Sequence, residues 1–284
     1  MVSVTNVLIA TIGLAAAQGH SQALMSSEVH RSGDYSCVHP PYKVHLVSRS
    51  PLVMYLEGFL TAEERGHLQE LANGQFQQSA VAGAAGAAAV HSVRTSQSTT
   101  VPRDALVRCI EDRAIALQGF NMPASHLEPI QLVRYGPAQH YHYHTDWFTD
   151  AAAHATAAQG GNRASSIFAY VRAAAAAAAA SDTSKANASS LTGGGTNFPL
   201  LDVPLRDERW CRFVDCDDEY EHGVTFRPVE GNAIYWENLL PLEGRRTRGD
   251  QRTLHAGLPV VSGEKIGMNI WTREAPLPPS VRGE

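Results

Sequence analysis

The sequence predicts an all-β core with flanking helices, built as a helix-supported antiparallel β-sandwich or jelly roll. Two observations carry this. Helical patterns come first, and a run of short strand-like segments follows. The chain has 284 residues, 44% hydrophobic and 18% charged, which suits one large globular domain or two small ones.

Residues 44–47 and 52–56 are short β-like runs. Thr61 then reads as a helix N-cap, with Glu63 and Glu64 in the first turn, where they favour the helix dipole. Phe59, Leu60, Leu68 and Leu71 give this helix an apolar stripe. Residues 83–89 are low-complexity and read as loop. A second helix is expected over 102–117, with Pro102 near its first turn and apolar positions at Leu106, Val107, Ile110, Ile115 and Leu117. Strands are then expected at 130–135, 141–144, 167–171, 223–228, 233–236 and 266–271.

Two stretches interrupt the strand half. Residues 149–162 are Ala- and Gly-rich, and 173–192 begin with a run of eight alanines and turn polar. Alanine favours helix, but eight residues alone are marginal in water. The second stretch reads as a surface insertion without a catalytic role. Residues 18–42 read as an irregular lead-in, and the Pro-rich tail 275–284 as irregular too.

The formal net charge is -5. The cluster Arg245, Arg246 and Arg248 is short and lies near Gly and Pro, so nucleic acid is not an expected partner. No Cys-x-x-Cys occurs among Cys37, Cys109, Cys211 and Cys216, which argues against a thiolate zinc site. Cys211 and Cys216 are close enough to close a small disulfide loop or to remain two thiols. Residues 7–17, VLIATIGLAAA, match the apolar core of a signal peptide and are short for a membrane span, although no Lys or Arg precedes them. With the glycosylation sequon at Asn187, they predict the secretory pathway, in the endoplasmic reticulum lumen, with a secreted or a cytoplasmic protein as the alternatives. Contact with a membrane is expected only through an N-terminal anchor over 1–17.

The candidate site centres on residues 131–148, QLVRYGPAQHYHYHTDWF. His140, His142 and His144 stand at alternate positions, followed by Asp146. In an extended strand, alternate side chains point to one face. A His-x-Asp pair with one distant His is the facial triad of non-haem Fe(II) oxygenases. Taken alone the pair also fits a polar strand face. His255, in an LHAG context, and Lys265 ten residues later supply what else such a site needs. A metal that chelates one end of 2-oxoglutarate requires a cation for the other carboxylate.

With these residues in hand, the chain resembles the catalytic domain of prolyl 4-hydroxylases, over about residues 52–273. The similar motifs are Phe59-Leu60-Thr61 with Glu63-Glu64, Arg94-Thr95-Ser96, and Glu128 with Gln131 and Tyr135. Gly161-Asn162-Arg163 and the GGTNFP turn at 194–199 also match. The likeness is greatest to fungal members with a Trp-Cys segment, here Trp210-Cys211, and a GxKIGxNIWTR-like ending, here 263–273. Ala138 departs from the pattern, standing where Gly is common, and Ile266 stands where many relatives have Trp.

The resemblance implies a double-stranded β-helix (jelly roll) over 43–274 with the N-terminal helices packed on one sheet. It implies Fe(II) bound by His144, Asp146 and His255, and so selects His144 from the three alternate histidines. It implies 2-oxoglutarate paired with Lys265 and hydrogen-bonded by Tyr135 and Thr196. Tyr141, Arg163, Glu128 and Trp271 are implied to shape the substrate pocket. O2 is the co-oxidant, L-ascorbate the reductant, and succinate and CO2 the by-products. The expected substrate is a proline-containing peptide. A small molecule on the same scaffold and a catalytically silent binding module are the alternatives.

Overall fold

Strand alternation sets the architecture. In a sheet, successive side chains leave opposite faces, so an interior strand feeds two different layers. The computed structural model describes residues 35–79, 81–82, 88–89, 94–119, 122–174, 191–202, 208–217, 223–241 and 247–282. Strands β1 (Lys43–Arg49) and β2 (Leu52–Glu57) precede helix α1 (Ala62–Ala72). Short strands β3 (Gln77–Gln78), β4 (Val81–Ala82), β5 (Ala88–Ala89) and β6 (Gln97–Thr100) lead to helix α2 (Ala105–Gln118). Next come β7 (Gln131–Tyr135), β8 (Tyr141–His144), the single turn α3 (Ala151–His154) and the long strand β9 (Arg163–Ala174). Strands β10 (Thr192–Gly193), β11 (Thr196–Phe198), β12 (Val224–Phe226), β13 (Ala233–Glu237), β14 (Leu239–Pro241) and β15 (Thr247–Gly249) follow. Strands β16 (His255–Gly257), β17 (Val260–Ser262) and β18 (Glu264–Arg273), then the turn α4 (Pro279–Arg282), complete the order.

The large sheet runs β1-β2-β13-β9-β18-β7-β6-β3, and the small one β12-β11-β16-β8. This is the jelly roll the sequence predicts. In β9, Ile167, Ala169 and Val171 join one apolar cluster with Leu68 of α1 and Val107, Ile110 and Ala114 of α2. The intervening Phe168 and Tyr170 join another with Phe198 and Phe226 of the small sheet. Strand β13 divides the same way, with Ala233 and Tyr235 toward the helices and Ile234 and Trp236 toward the small sheet. The helices therefore cover the outer face of the large sheet, and the inner face is left for chemistry.

Helix α1 begins as expected. Thr61 Oγ1 accepts from the Glu64 backbone N–H at 3.1 Å, and Glu64 accepts from the Thr61 N–H at 2.9 Å, which closes a capping box. Glu64 is also buried and pairs with Arg113 of α2, whose Nη1 additionally donates to the Phe59 carbonyl at 2.7 Å. One carboxylate thus caps one helix and ties it to the next.

Several expectations need correction. Helix α2 starts at Ala105 behind an Asp104 cap, so Pro102 lies outside it. The expected 167–171 strand extends to Arg163–Ala174. Of the 83–89 loop, Ala88–Ala89 pair with Val81–Ala82, and 83–87 lie outside the described residues. Within 149–162, α3 interrupts the loop. The tail has no regular structure over 275–278 and ends in the turn α4, but it is held in place. Leu277 and Arg282 are buried, Leu277 donates its N–H to the Ser125 carbonyl, and Arg282 donates to the Ala124 carbonyl. The lead-in is anchored where described, because Cys37 is bonded to Cys109 of α2. Cys211 and Cys216 also form a disulfide. The 7–17 run, residues 18–34, the Asn187 sequon, residues 175–190 of the insertion, Arg245 and Arg246 lie outside the described residues.

Ala138 has φ 64°. An L-residue is strained there, and the glycine that the resemblance leads one to expect would not be.

Removing one partner of a buried ion pair strands the other charge. Arg113→Ala should therefore lower the unfolding free energy by about 3–5 kcal/mol, read as a shift in the urea midpoint. A loss under about 1 kcal/mol, as for an exposed pair, would show that the pair does not join the helices.

Candidate active site and metal centre

The site forms on the inner face, where the two sheets meet. Strands β8 and β16 are antiparallel neighbours, and His144 pairs with His255 across them. The next pair is Gly257 with Tyr141, so β8 spends three residues where β16 spends two. Such a bulge re-aims side chains. It places Tyr141 on the face of His144, with the rings stacked at 3.6 Å between centroids, and leaves His142 exposed. Regular alternation would have put His142 and His144 on one face, so that part of the sequence reading is corrected.

Asp146 follows two residues after His144. Its Oδ1 lies 3.8 Å from His144 Nε2 and 3.9 Å from His255 Nε2. The donor atoms of the three residues all lie within 4.8 Å of one another. His144 Nδ1 bonds the His142 carbonyl at 2.8 Å, and His255 Nδ1 bonds the Thr253 carbonyl at 2.9 Å. A carbonyl only accepts, so each Nδ1 carries a proton and each Nε2 is the ring nitrogen left facing the centre. Burial, reinforced by His255, holds the His144 imidazole far below its ordinary range, so it is neutral. Burial pushes the Asp146 carboxyl up, but His255, His144, Arg163 and Ser166 outweigh it and hold the group below the usual range. Two imidazoles and one carboxylate are the donor set of a non-haem Fe(II) site, so the residues fit that metal.

His255 is held on both sides. Phe198 stacks at 5.3 Å and Trp236 meets it edge-on at 4.9 Å. Ser166 of β9 donates to Asp146 Oδ2 at 2.6 Å. Trp147 packs on Gly249, where a Cβ would come 2.1 Å from the indole.

Lys265 is fully buried on β18, opposite Tyr135 of β7. Its Nζ donates to the Gly194 carbonyl and lies 4.6 Å from the Tyr135 ring centre. Among the described residues no carboxylate pairs with it. Burial alone lowers it to about 7. The Tyr135 phenol, pushed up by burial to about 12, stays neutral. A buried cation without a counter-ion is a fitting receptor for the far carboxylate of 2-oxoglutarate. Tyr135 and Thr196 line the cavity beside it, and Thr196 Oγ1 accepts from the Tyr170 hydroxyl at 2.8 Å.

A cavity of about 540 Å³ opens onto the triad, with Tyr141, Arg163, Trp271, Phe148 and Arg94 in its wall. The Arg163 guanidinium lies 3.6 Å from the Trp271 ring centre. Its Nε and Nη2 donate to Glu128 at 2.9 and 2.8 Å, and its Nη1 to the Asp146 carbonyl at 3.4 Å. Glu128 does not line the cavity. It sits behind Arg163 and also meets Arg273 at 3.2 Å, so it orients the wall.

The sequence reading assigned no role to Arg94, whose guanidinium lies 4.6 Å from the Tyr141 ring centre. It also passed over Phe148, Trp147, Ser166, Trp236 and Asn238. For Arg94 a signal existed in the Arg94-Thr95-Ser96 match. Thr95 Oγ1 accepts from the His140 backbone N–H at 2.9 Å, so that element braces β8. For the others no spacing marks them.

Comparisons with known proteins agree with this chemistry. Residues 130–273 match the family described as "2OG-Fe(II) oxygenase superfamily". The chain is 33% identical over 235 residues to "Probable prolyl 4-hydroxylase 4" of Arabidopsis thaliana, covering 81% of this chain and 70% of that one. It is 33% identical over 252 residues to "Prolyl 4-hydroxylase 2" of the same plant, covering 87% and 75%. A viral collagen prolyl hydroxylase from Paramecium Bursaria Chlorella virus-1, solved with 2OG, aligns at a TM-score of 0.49 and 23% identity, over 78% of this chain and 95% of that one. The chain belongs to the 2OG-Fe(II) oxygenase superfamily, among the prolyl 4-hydroxylases, and is a dioxygenase that uses Fe(II), 2-oxoglutarate and O2.

Proposed function

We propose that the protein hydroxylates prolyl residues within peptides, with His144, Asp146 and His255 as iron ligands and Lys265 as the counter-ion of 2-oxoglutarate. The observation that carries this reading is the cavity wall beside the triad. Tyr141, Trp271 and Phe148 offer aromatic faces to an apolar ring. Arg163 has three of its five N–H donors engaged, so the rest remain for a peptide carbonyl. The relatives named prolyl 4-hydroxylase support the same choice.

Bound iron supplies oxidation of 2-oxoglutarate by O2 to succinate and CO2, coupled to hydroxylation of an unactivated C–H bond, with L-ascorbate as reductant. The chain supplies position and exclusion. Tyr141 and Trp271 hold the substrate ring beside the triad. The backbone carbonyls of His142 and Thr253 keep both imidazoles in the ligating tautomer. Lys265 and Thr196 fix the cosubstrate at its distal end.

Replacing His144, Asp146 or His255 by Ala should abolish succinate release coupled to hydroxylation. Zinc should bind the chelator-stripped protein without restoring turnover, because it has no redox chemistry. Full activity in His255→Ala would overturn the ligand assignment.

The affinity for 2-oxoglutarate should depend on pH. Lys265 titrates near 7 when unpaired, and a carboxylate partner raises it. Binding is thus fully favoured below about 7 and weakens above it, approaching about tenfold per pH unit. Calorimetry from pH 6.5 to 8.5 checks this. Lys265→Met should remove the slope and cost about 2–5 kcal/mol at low pH. A flat profile in the native protein would place the cosubstrate cation elsewhere.

Mass spectrometry after incubation with proline-rich peptides, Fe(II), 2-oxoglutarate and ascorbate tests the substrate. The expected product is a peptide with one oxygen added on proline, much reduced in Arg163→Ala. Coupled turnover with free amino acids or metabolites, and none with any peptide, would transfer the assignment to a small molecule.

A further inference from the structure

The two oxygens of Asp146 have different surroundings. Oδ1 faces both imidazoles, and Oδ2 accepts from Ser166 Oγ at 2.6 Å. Behind Ser166 stands Asn238, whose Nδ2 donates to Ser166 Oγ at 2.9 Å. Behind Asn238 stands Trp236, whose Nε1 donates to Asn238 Oδ1 at 2.8 Å. Asn238 is fully buried, and Ser166 and Trp236 are each 1% exposed. The backbone fixes Asn238 as well: its N–H donates to the Ala164 carbonyl, and its carbonyl accepts from the Asp250 N–H, each at 2.8 Å.

This chain of bonds has one allowed direction. An indole N–H only donates, so the amide oxygen of Asn238 must face Trp236. The amide nitrogen must then face Ser166, and it only donates. The Ser166 hydroxyl, receiving that bond, directs its own proton to Asp146. We propose that Trp236, Asn238 and Ser166 form a one-way hydrogen-bond relay that holds the Asp146 carboxylate in a single orientation, with Oδ1 presented as the ligand. All three are positioning residues. The proposal rests on the ligand reading given above.

The test is calorimetric titration of the metal-free protein with Co(II), a probe that needs no turnover. Ser166→Ala should bind Co(II) about 10–100-fold more weakly, as partners behind metal ligands do. Ser166→Thr, which keeps the hydroxyl, should return to within about threefold of the native affinity. Asn238→Leu, which touches neither Asp146 nor the histidines, should weaken binding in the same direction and by less. The 2-oxoglutarate affinity of the Co(II)-loaded Ser166→Ala protein should stay near native, because Lys265 is untouched. Native Co(II) affinity in Ser166→Ala, or equal losses in the Ala and Thr variants, would overturn the relay. Asp146→Ala is run alongside. If it loses Co(II) binding while Ser166→Ala keeps it, the relay fails and the ligand assignment stands; if it binds as the native protein does, both fail.

Discussion

The site depends on one strand pairing. His255 and His144 face each other because β16 lies antiparallel to β8 in a fixed register. A one-residue slip in a sheet turns every side chain to the opposite face, and here it would separate the imidazoles. The apolar layers guard against that slip. Phe198 and Trp236 hold His255 from two sides, and both belong to the cluster between the sheets. The helices act at a further remove. They cover the outer face of the large sheet, so β9 and β18 can commit their inner faces to Ser166 and Lys265.

The two ends of the inner face are electrically unlike. At one end a carboxylate is held below its ordinary range by its neighbours, and at the other a lysine is held low by burial alone. The first environment is already compensated and the second is not. A dianionic cosubstrate placed between a metal and that lysine removes the imbalance. Neutral Tyr135 and Thr196 frame the space without competing for the charge.

Much of this was legible in the sequence, and the reason is local. His144 and Asp146 lie two residues apart on one segment, and His255 and Lys265 lie ten apart on another, so short motifs carry them, and the family resemblance picks His144 from its neighbours. The helix start at Thr61 was legible for the same reason. What escaped was held together across the fold. Ser166 meets Asp146 from 20 residues away and Asn238 from 72, and Cys37 meets Cys109 across 72. Glu128 was placed in the pocket because a motif records presence and not depth; Arg163 stands between it and the cavity. The tail was read as irregular from its prolines, although buried Leu277 and Arg282 pin it.

The bulge in β8 separates two ways of counting. Along the chain, Tyr141 and His144 are three residues apart; across the sheet, they stand opposite Gly257 and His255, two apart. A chain lacking the extra residue would hold the same two side chains on the same face with the spacing Tyr-x-His. A search pattern written with fixed gaps would pass over that chain, and an alignment scored on gaps would penalise it, though its site were identical. For this fold, kinship of sites is better measured in strand partners than in sequence intervals.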